Sequence, residues 1–472
     1  MEESASGRPD VPCDRPREAG LAVPDRCLGY NEGVIARPPL SPGPYLVVGL
    51  ARSGVAAALA LRARGEEVTG TDSHAVAPDV RERLTSAGVV MRDGEAGTDS
   101  LAGVRTVVKS PGVPREAPVV AAALAGGLTV MGELELGWRL LEHEFVAVTG
   151  SNGKTTTVEL LGHIHRRAGA PVIVAGNVGT ALASLPGTLE PGAVIVCEAS
   201  SFQLEDTLAF APEAAVLLNL AEDHLDRHHT FAAYREAKLR VFAHQPPGAI
   251  AVVPVDFGAA GGEATRVTFG PGGNLAERGG QLAWRGEAFM HVDEIRLPGA
   301  HNRENAMAAA AVALARGLAA DAVREGLATF AGVAHRLETV ATIDGVAYVN
   351  DSKATNVASA VVGVASFPRG VHLIAGGSDK GSDYSPLVRP VAQHATAVYL
   401  IGETAAAMHS ALKAGSVPIH EAGDLEHAVV AAHAAARPGD TVLLSPGCAS
   451  YDQYRSYEER GDHFRALVAQ LA

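Results

Sequence analysis

The patterned part of the chain begins with short apolar runs that are separated by longer runs of helical periodicity. The run Tyr45–Val48 is apolar and is followed by Gly49 and an Ala- and Leu-rich stretch over 53–64. Further apolar runs at 67–70 and 106–108 predict the next strands. Because strands that alternate with helices usually pair in parallel, this region is predicted to contain βαβ units.

The same alternation recurs twice further along the chain. The predicted strands of the second and third blocks lie at 145–148, 172–175, 194–197, 215–218, 346–350, 372–375, 397–401 and 441–445. A Gly-rich stretch over 257–286 predicts a loop and a hairpin, and an Ala-rich run over 304–318 predicts a helix.

These blocks predict an α/β protein of three domains, because 472 residues exceed what one ordinary core accommodates. The predicted domains are 44–132, 133–333 and 334–472. Residues 1–43 contain seven prolines, scattered charges and no periodicity. They are predicted to form a disordered tail, because such a segment buries too little apolar surface to fold.

Composition excludes some functions and suggests a compartment. Asp and Glu outnumber Lys and Arg by 53 to 39, so the formal net charge is -14 and nucleic-acid binding is disfavoured. Four widely separated cysteines without a CxxC pair argue against a zinc knuckle and fit a reducing compartment. No run reaches the roughly 18 apolar residues of a membrane span, and the acidic start does not resemble a signal peptide. We therefore expect a cytoplasmic protein without membrane insertion.

The strongest chemical signal is a glycine loop that follows an apolar strand and begins a helix. Its residues are Gly150, Ser151, Asn152, Gly153, Lys154, Thr155 and Thr156. Such a loop turns backbone amides toward phosphates, its lysine reaches the β- and γ-phosphates, and its threonine hydroxyl suits Mg²⁺. Val148 stands where the common P-loop has its first glycine, so the motif is the shorter GxxGK[ST] variant. The alternative is a tight glycine turn with a surface lysine.

The first block carries a weaker motif of the dinucleotide-binding kind. Gly49 and Gly54 flank a turn after the first strand, with Ala51 in place of a middle glycine. Asp72 ends the next strand, 18 residues beyond Gly54, near the roughly 20 that are expected of an acid on a ribose. A Rossmann-like domain that binds no nucleotide remains the alternative.

The second block places an acid and several histidines after its strands. Glu198 ends a buried strand, where a carboxylate near a P-loop suits Mg²⁺, although a solvated strand-end acid is the alternative. The stretch over 219–229 is rich in histidine and acid, so a zinc hydrolase and a merely solvated loop both compete with Mg²⁺ binding there. On its pattern alone, Lys238 is predicted to be an exposed helical lysine.

The third block places polar strings after its strands, at 350–356, 376–381 and 445–454. Ligands bind at the carboxyl ends of strands in open α/β sheets, so these strings are expected to face one crevice. Arg336 and Lys380 are cations that suit a carboxylate or a phosphate.

Together, several strings resemble the muramyl ligase family over residues 44–472, in uninterrupted order. They are TGSNGKTTT, CEASSFQLE, NLAEDHLDRH, YREAKLR, NDSKATN, GGSDKG and SPGCASYDQY. The strings NDSKATN and SPGCASYDQY are similar to those of the members that join D-glutamate to UDP-N-acetylmuramoyl-L-alanine.

The resemblance implies a Rossmann-like UDP-binding domain, a central P-loop ATPase domain and a C-terminal Rossmann-like domain that binds the amino acid. It implies a reaction of cytoplasmic peptidoglycan precursor synthesis, with ATP and two Mg²⁺ ions as cofactors. The nucleotide sugar's carboxylate takes the γ-phosphate of ATP, and the amine of D-glutamate attacks the acyl phosphate. We expect a monomer.

The resemblance also implies roles for individual residues. Lys154, His224 and Lys238 would be catalytic, with Thr155, Glu198, His224 and a carbamylated Lys238 as metal ligands. Asn302, Arg336 and Asp351 would join the glycine loop in contacting ATP. The uridine-nucleotide substrate would contact Arg52, Ser53, Asp72, Ser73, Ser110, Pro111, Gly112, Asn177, Ser200 and Gln203. D-Glutamate would contact Thr355, Lys380, Ser450 and Tyr457.

Some positions depart from the family's pattern. Ala334 stands before the His-Arg pair where proline is usual, and Tyr451 and Tyr457 stand where some members have Leu and Phe. These changes leave the reaction type in place but weaken the assignment of the amino acid. A ligase with L-glutamate, another cell-wall precursor or a folate as substrate, and a catalytically idle nucleotide-binding regulator, are the alternatives.

Overall fold

The computed structural model describes residues 34–92, 98–297, 299–378, 381–413 and 415–471. Within them, three sheets carry helices on their faces, which confirms the predicted three-domain α/β fold. No helix in these ranges is long and apolar enough to span a membrane.

The first domain is a parallel sheet in the order β3-β2-β1-β4-β5. Its elements are β1 (Tyr45–Val48), α1 (Arg52–Ala63), β2 (Val68–Thr71), α2 (Pro78–Ser86), β3 (Val90–Met91), β4 (Thr106–Lys109), α3 (Pro118–Ala125) and β5 (Thr129–Gly132), and α4 (Glu133–Leu140) follows directly after the sheet. The central strand β1 is completely apolar and buried on both faces, as expected of a parallel sheet covered by helices.

The central domain has the strand order β14-β13-β12-β11-β10-β9-β6-β8-β7. Its strands are β6 (Phe145–Thr149), β7 (Val172–Gly176), β8 (Val194–Glu198), β9 (Ala214–Leu217), β10 (Ile250–Pro254), β11 (Thr265–Phe269), β12 (Leu275–Arg278), β13 (Gln281–Trp284) and β14 (Glu287–His291). Its helices are α5 (Lys154–Arg167), α6 (Ser201–Leu204), α7 (Leu225–His228), α8 (Phe231–Ala243), α9 (Ala300–Ala315) and α10 (Ala320–Thr329).

Two parts of the central domain refine the prediction. The Gly-rich stretch that predicts a loop and hairpin forms antiparallel strands that extend the parallel sheet, from β12 to β14. The Ala-rich helix α9 begins and ends a few residues earlier than expected. Its alanines over 308–311 are completely buried, because small side chains let the helix pack closely on the sheet.

The third domain has the strand order β15-β16-β20-β17-β18-β19, parallel except for the hairpin of its first two strands. Its elements are β15 (Glu338–Ile343), β16 (Val346–Asn350), α11 (Val357–Ala365), β17 (Val371–Gly376), α12 (Val388–His394), β18 (Ala395–Ile401), α13 (Ala405–Leu412), β19 (Ile419–Gly423), α14 (Leu425–Ala435), β20 (Thr441–Leu444) and α15 (Tyr457–Ala469).

Residues 34–43 pack against the central domain through Arg37 and against the first domain through Pro42, whose carbonyl accepts from the Thr106 hydroxyl, although the sequence predicts a disordered tail here. The Arg37 guanidinium lies 2.9 Å from the Glu213 carboxylate, and both side chains are almost completely buried. The same guanidinium lies 4.7 Å from the centroid of the Trp138 ring. The prediction is therefore wrong for this stretch, because one arginine supplies a buried ionic and aromatic contact that composition does not reveal. Residues 1–33 lie outside the described residues.

Candidate active site

The glycine loop, Glu198 and the His224 loop lie together at the carboxyl ends of adjacent parallel strands. In the register of the sheet, Val148 of β6 pairs with Glu198 of β8, and Thr149 pairs with Leu217 of β9. Parallel strands present their ends at one edge, so three segments that are far apart in sequence converge there.

The glycine loop has the backbone conformation that phosphate binding requires. Gly153 precedes α5 with φ of 86°, in the left-handed region. A Cβ at this position would lie 2.1 Å from Oδ1 of Asn305, which reaches the loop from α9. Asn219 holds the loop from the other side, because its side-chain oxygen accepts from the amide of Asn152 at 2.9 Å. One asparagine therefore holds the middle of the loop by a hydrogen bond, and another packs closely against Gly153.

Lys154 folds back over the loop at the start of α5. Its ammonium donates to the carbonyls of Gly150 at 2.9 Å and Ser151 at 3.0 Å. Burial lowers the pKa of Lys154, while the carboxylate of Glu198 opposes that shift. The ammonium is thus held among backbone oxygens at the place where a P-loop lysine meets phosphate oxygens.

Thr155 and Glu198 form an oxygen-rich pair beside the loop. The Thr155 hydroxyl donates to Oε2 of Glu198 at 2.8 Å, and the Asn177 amide donates to Oε1 at 3.0 Å. Glu198 is almost completely buried, so its carboxylate depends on such partners. Hydroxyl and carboxylate oxygens are the ligands that Mg²⁺ prefers, so these residues fit the ion that the resemblance implies.

Lys238 is buried, and the prediction of an exposed helical lysine is wrong. Its side chain is 1% exposed, and its ammonium donates to the carbonyl of Gly150 at 2.8 Å. The ammonium also lies 4.6 Å from the centroid of the Tyr234 ring. Burial and, secondarily, the nearby charge of Lys154 lower the pKa of Lys238 to about 7. A large fraction of this amine is therefore uncharged and nucleophilic near neutral pH.

The histidines of the 219–229 stretch point to different neighbours, which argues against a zinc hydrolase. The backbone of His224 is in the left-handed region, with φ of 52°, and its side chain is about half exposed. His228 is buried against the hydroxyl of Ser201 at 3.0 Å, whereas His229 is mostly exposed. Among the described residues, no cluster of three His, Cys, Asp or Glu side chains has the arrangement of a metal site. A carbamylated lysine lies outside that set of ligand types.

In the first domain, the predicted nucleotide-sugar residues surround one tight turn. The Asp72 carboxylate accepts from the amide of Leu50 at 2.6 Å, and the Ser110 hydroxyl donates to the carbonyl of Gly49 at 2.6 Å. A Cβ at Gly54 would lie 1.8 Å from that same carbonyl oxygen, so only glycine fits there. The remaining predicted residues of this group are neighbours of these residues in sequence: Arg52 and Ser53 lie between Gly49 and Gly54, Ser73 follows Asp72, and Pro111 and Gly112 follow Ser110.

The predicted sugar-side residues have structural contacts of their own. Arg52 reaches from the first domain to the carbonyl of Asn177 at 3.5 Å. Ser200 and Gln203 form a capping box at the start of α6, in which each side chain bonds to the backbone of the other. The cap explains why these two residue types occur at this spacing without any ligand.

In the third domain, Asp351 is buried among donors. Its carboxylate accepts from the Ser445 hydroxyl at 2.7 Å and from the amide of Leu337 at 3.1 Å. Burial raises the pKa of Asp351 to about 6, and the positive charge of Arg336 acts in the opposite direction. Arg336 is near enough to lower the pKa of Lys154 as well. The third domain therefore contributes a positive charge in the vicinity of Lys154.

Two of the residues predicted to bind D-glutamate, Thr355 and Ser450, lie on loops that a buried arginine joins. Arg460 of α15 donates to the Ser352 carbonyl at 2.9 Å and to the Cys448 carbonyl at 3.1 Å. These carbonyls belong to the loops that carry Thr355 and Ser450. The remaining two predicted residues are Tyr457, which begins α15, and Lys380, which lies outside the described residues.

Sequence reasoning missed Asn305, Arg460, Tyr234 and Asn219. Asn305 follows the predicted Asn302 by three residues on α9, and its amide donates to the Asn302 side chain at 3.3 Å. That spacing places both on one helix face and could have revealed the second asparagine. Arg460 lies in an ordinary charged helical pattern, so the sequence offers no comparable signal for it.

Comparison with protein families gives three matches in chain order. The profile of the Mur ligase MurD-like N-terminal domain matches residues 44–132. The Mur ligase middle domain matches 148–313, and the Mur ligase glutamate ligase domain matches 335–448.

Curated relatives and solved structures agree with these matches. The chain is 42% identical to the UDP-N-acetylmuramoylalanine--D-glutamate ligases of Acidobacterium capsulatum and Pelotomaculum thermopropionicum, over 90% of this chain and 95% and 97% of theirs. The UDP-N-acetylmuramate-alanine ligase structure from Thermotoga maritima matches with a TM-score of 0.55 at 18% identity, over 91% of this chain and 99% of that one. The structure of the Thermotoga maritima MurF ligase in complex with ADP matches with a TM-score of 0.53 at 17% identity, over 86% of this chain and 96% of that one. At these identities the solved structures support the fold alone.

Proposed function

This chain belongs to the Mur ligase family, and from that premise we propose that it joins D-glutamate to UDP-N-acetylmuramoyl-L-alanine at the expense of ATP. The observation that carries the proposal is the convergence of Lys154, Lys238 and the Thr155–Glu198 pair on one glycine loop. The names of the relatives, at 42% identity over nearly their whole length, support the choice of substrates.

The reaction divides into two transfers. The carboxylate of the nucleotide sugar attacks the γ-phosphorus of ATP, the bond to the β-phosphate oxygen breaks, and ADP leaves. The amine of D-glutamate then attacks the acyl phosphate carbon, loses a proton and expels inorganic phosphate as the amide forms. Phosphoryl transfer depends mainly on positioning and charge neutralisation. Lys154 and Arg336 supply positive charge, and the glycine loop supplies amides.

The glycine loop, the start of α9 and the third domain together form the proposed ATP site. Its residues are Gly150, Ser151, Asn152, Gly153, Lys154, Thr155, Thr156, Asn302, Arg336 and Asp351, to which the geometry adds Asn305. Mg²⁺ would be held by Thr155, Glu198, His224 and carbamylated Lys238, as two ions. When bound, the metal would neutralise phosphate charge.

Lys238 is proposed to carry a carbamate. An uncharged amine adds to CO₂ to give a carbamate and a proton. The product places an anion with oxygen ligands beside Lys154, where the unmodified lysine would place a cation. The low pKa and the burial of Lys238 favour this chemistry. Removing CO₂ from the buffer should therefore lower the rate, and bicarbonate should restore it. A rate that ignores CO₂ would contradict the carbamate without affecting the ligase assignment.

The substrates are proposed to occupy the outer domains. The uridine nucleotide would contact the turn that Arg52, Asp72 and Ser110 border, and the sugar would extend past Asn177. D-Glutamate would contact Thr355, Ser450, Tyr457 and Lys380. We also propose domain limits at residues 132 and 333, a cytoplasmic location and a monomer.

The decisive experiment measures phosphate release from ATP with UDP-N-acetylmuramoyl-L-alanine and each enantiomer of glutamate. We expect phosphate release only when ATP, the nucleotide sugar and D-glutamate are all present. The product should have the mass of the amide. Lys154→Ala should reduce turnover by orders of magnitude. Release at the full rate with ATP alone, or a preference for L-glutamate, would refute the assigned reaction or the assigned amino acid.

A further inference from the structure

Lys109 lies in a buried network of charges between the first and central domains. It ends β4 with no exposed surface, and its ammonium is 2.6 Å from the Asp206 carboxylate and 4.0 Å from that of Glu205. Asp206 is itself almost completely buried. A lysine and an aspartate without solvent are costly to maintain unless their geometry serves a purpose or is well compensated. The catalytic scheme above does not use either of them.

The network reaches the turn that follows β4. The Lys109 ammonium donates to the carbonyl of Val113 at 2.7 Å, and the Arg227 guanidinium donates to the same oxygen at 3.0 Å. The amide of Val113 donates to the carbonyl of Ser110 at 3.0 Å, which closes the turn over 110–113. Two cations from different domains therefore hold the oxygen at the end of this turn.

Arg227 extends the connection toward the candidate metal site. It belongs to α7, which starts directly after His224, and it also donates to Glu205 at 2.7 Å. Its guanidinium lies 4.9 Å from the ring centroid of Phe202, and that ring lies 4.8 Å from the ring of His224. The turn in the first domain and the helix in the central domain thus share one set of ionic and aromatic contacts.

We propose that Lys109 is a positioning residue for the nucleotide substrate, which together with Arg227 fixes the Val113 carbonyl and thereby the Ser110–Gly112 turn. Lys109 is completely buried behind the turn, so it acts through the backbone rather than by touching the ligand. The inference rests on the proposed function in one respect, which is that this turn contacts the uridine nucleotide.

The test compares Lys109→Met with wild type, using UDP alone as the probe in isothermal titration calorimetry and the full reaction in steady-state kinetics. We expect the Kd for UDP and the KM for the nucleotide sugar to rise about tenfold, or about 1.4 kcal/mol. The KM for ATP and kcat should stay within about twofold. A residue that only stabilised the fold would instead change all of these values together or none of them.

Arg115→Met is the matched control. Arg115 approaches the other oxygen of Asp206 at 3.9 Å and is 41% exposed. It therefore touches the same carboxylate, but the Val113 carbonyl keeps both of its donors. We expect UDP affinity to stay within about twofold of wild type. A tenfold loss in this variant too would overturn the role of Lys109, because any perturbation of Asp206 would then suffice.

A second variant keeps the test readable if Lys109→Met leaves Asp206 unpaired and unfolds the protein. Lys109→Met/Asp206→Leu replaces both buried charges by apolar groups, which proteins often tolerate. Weak UDP binding in this folded double variant supports the proposal, and wild-type affinity overturns it. A wild-type protein that binds UDP but releases no phosphate contradicts the proposed function alone. A wild-type protein that binds no UDP overturns the inference about Lys109.

Discussion

Replacing Lys238 by methionine should stabilise the protein while abolishing its turnover. Lys238 is the buried lysine beside the glycine loop, and burial lowers its pKa from 10.5 to about 7. Methionine has a similar length and carries no charge, so the variant removes a group that folding has to deprotonate or to bury as a cation. Turnover should fall to background, because the proposed carbamate cannot form.

The magnitude and its pH dependence follow from linkage. Between pH 7 and 10.5 the unfolded chain binds a proton at this lysine that the folded chain does not bind, so stability rises with pH across that window. Below about pH 7 the penalty is complete, and an interval of about 3.5 pH units corresponds to about 5 kcal/mol. Loss of the hydrogen bond to Gly150 and of the contact with the Tyr234 ring offsets roughly 2–3 kcal/mol of this gain. The net gain at acidic pH is about 2 kcal/mol.

Calorimetric melting in CO₂-free buffer measures this difference. At about pH 6 the transition that includes the central domain should shift upward by about 4–8 °C in the methionine variant. The shift should disappear by about pH 9, where the remaining penalty no longer exceeds the lost contacts, and it should change sign at higher pH. Lys413→Met removes an exposed lysine and serves as the control, with no pH-dependent difference expected. A methionine variant that is less stable at pH 6, or a shift that is the same at every pH, would refute the argument.

Three further predictions concern other contacts. Arg37→Met should cost about 3–5 kcal/mol in urea unfolding, because it removes the counter-ion of the buried Glu213 carboxylate. Arg324→Met, in an exposed ion pair, should cost less than about 1 kcal/mol, and equal costs would contradict the burial argument. Gly153→Ala should abolish ATP binding in a calorimetric titration, because the added Cβ would collide with Asn305. Gly169→Ala, at a left-handed position with free space around it, should preserve ATP binding. ATP binding by both variants would show that the loop does not require glycine at position 153 for steric reasons. Arg460→Met should raise the KM for D-glutamate at least about tenfold, or about 1.4 kcal/mol, because Arg460 holds the two loops that carry Thr355 and Ser450. The KM for the nucleotide sugar should stay unchanged in the same assay. An unaltered KM for D-glutamate would show that Arg460 does not position these loops for binding.

The sequence alone is sufficient to predict the glycine loop and the position of Glu198, because each depends on a single strand and the turn that follows it. The glycine loop predicted its own conformation, because Gly153 needs a left-handed backbone and the apolar β6 precedes it. Glu198 was predicted at a strand end beside that loop, and the sheet register places it there. Each of these inferences uses only the residues within one strand and the turn that follows it.

Contacts between distant segments were beyond such patterns. Lys238 is one turn of helix away from Tyr234, yet the burial of both depends on a loop more than 80 residues earlier in the chain. Arg37 depends on Glu213 in the same way. Composition predicts disorder around Arg37, and the helical pattern predicts exposure at Lys238, because neither contains the partner that compensates a buried charge.

The carbonyl group of Gly150 connects the two lysines of the candidate site. It accepts from the ammonium groups of both Lys154 and Lys238, so one peptide group sets the position of two cations at once. Gly150 has φ of 151°, a conformation that side chains with a Cβ rarely adopt. A rotation of that single peptide plane would break one hydrogen bond of each lysine in one movement, which leaves Lys154 with its bond to Ser151 and frees Lys238 to meet CO₂.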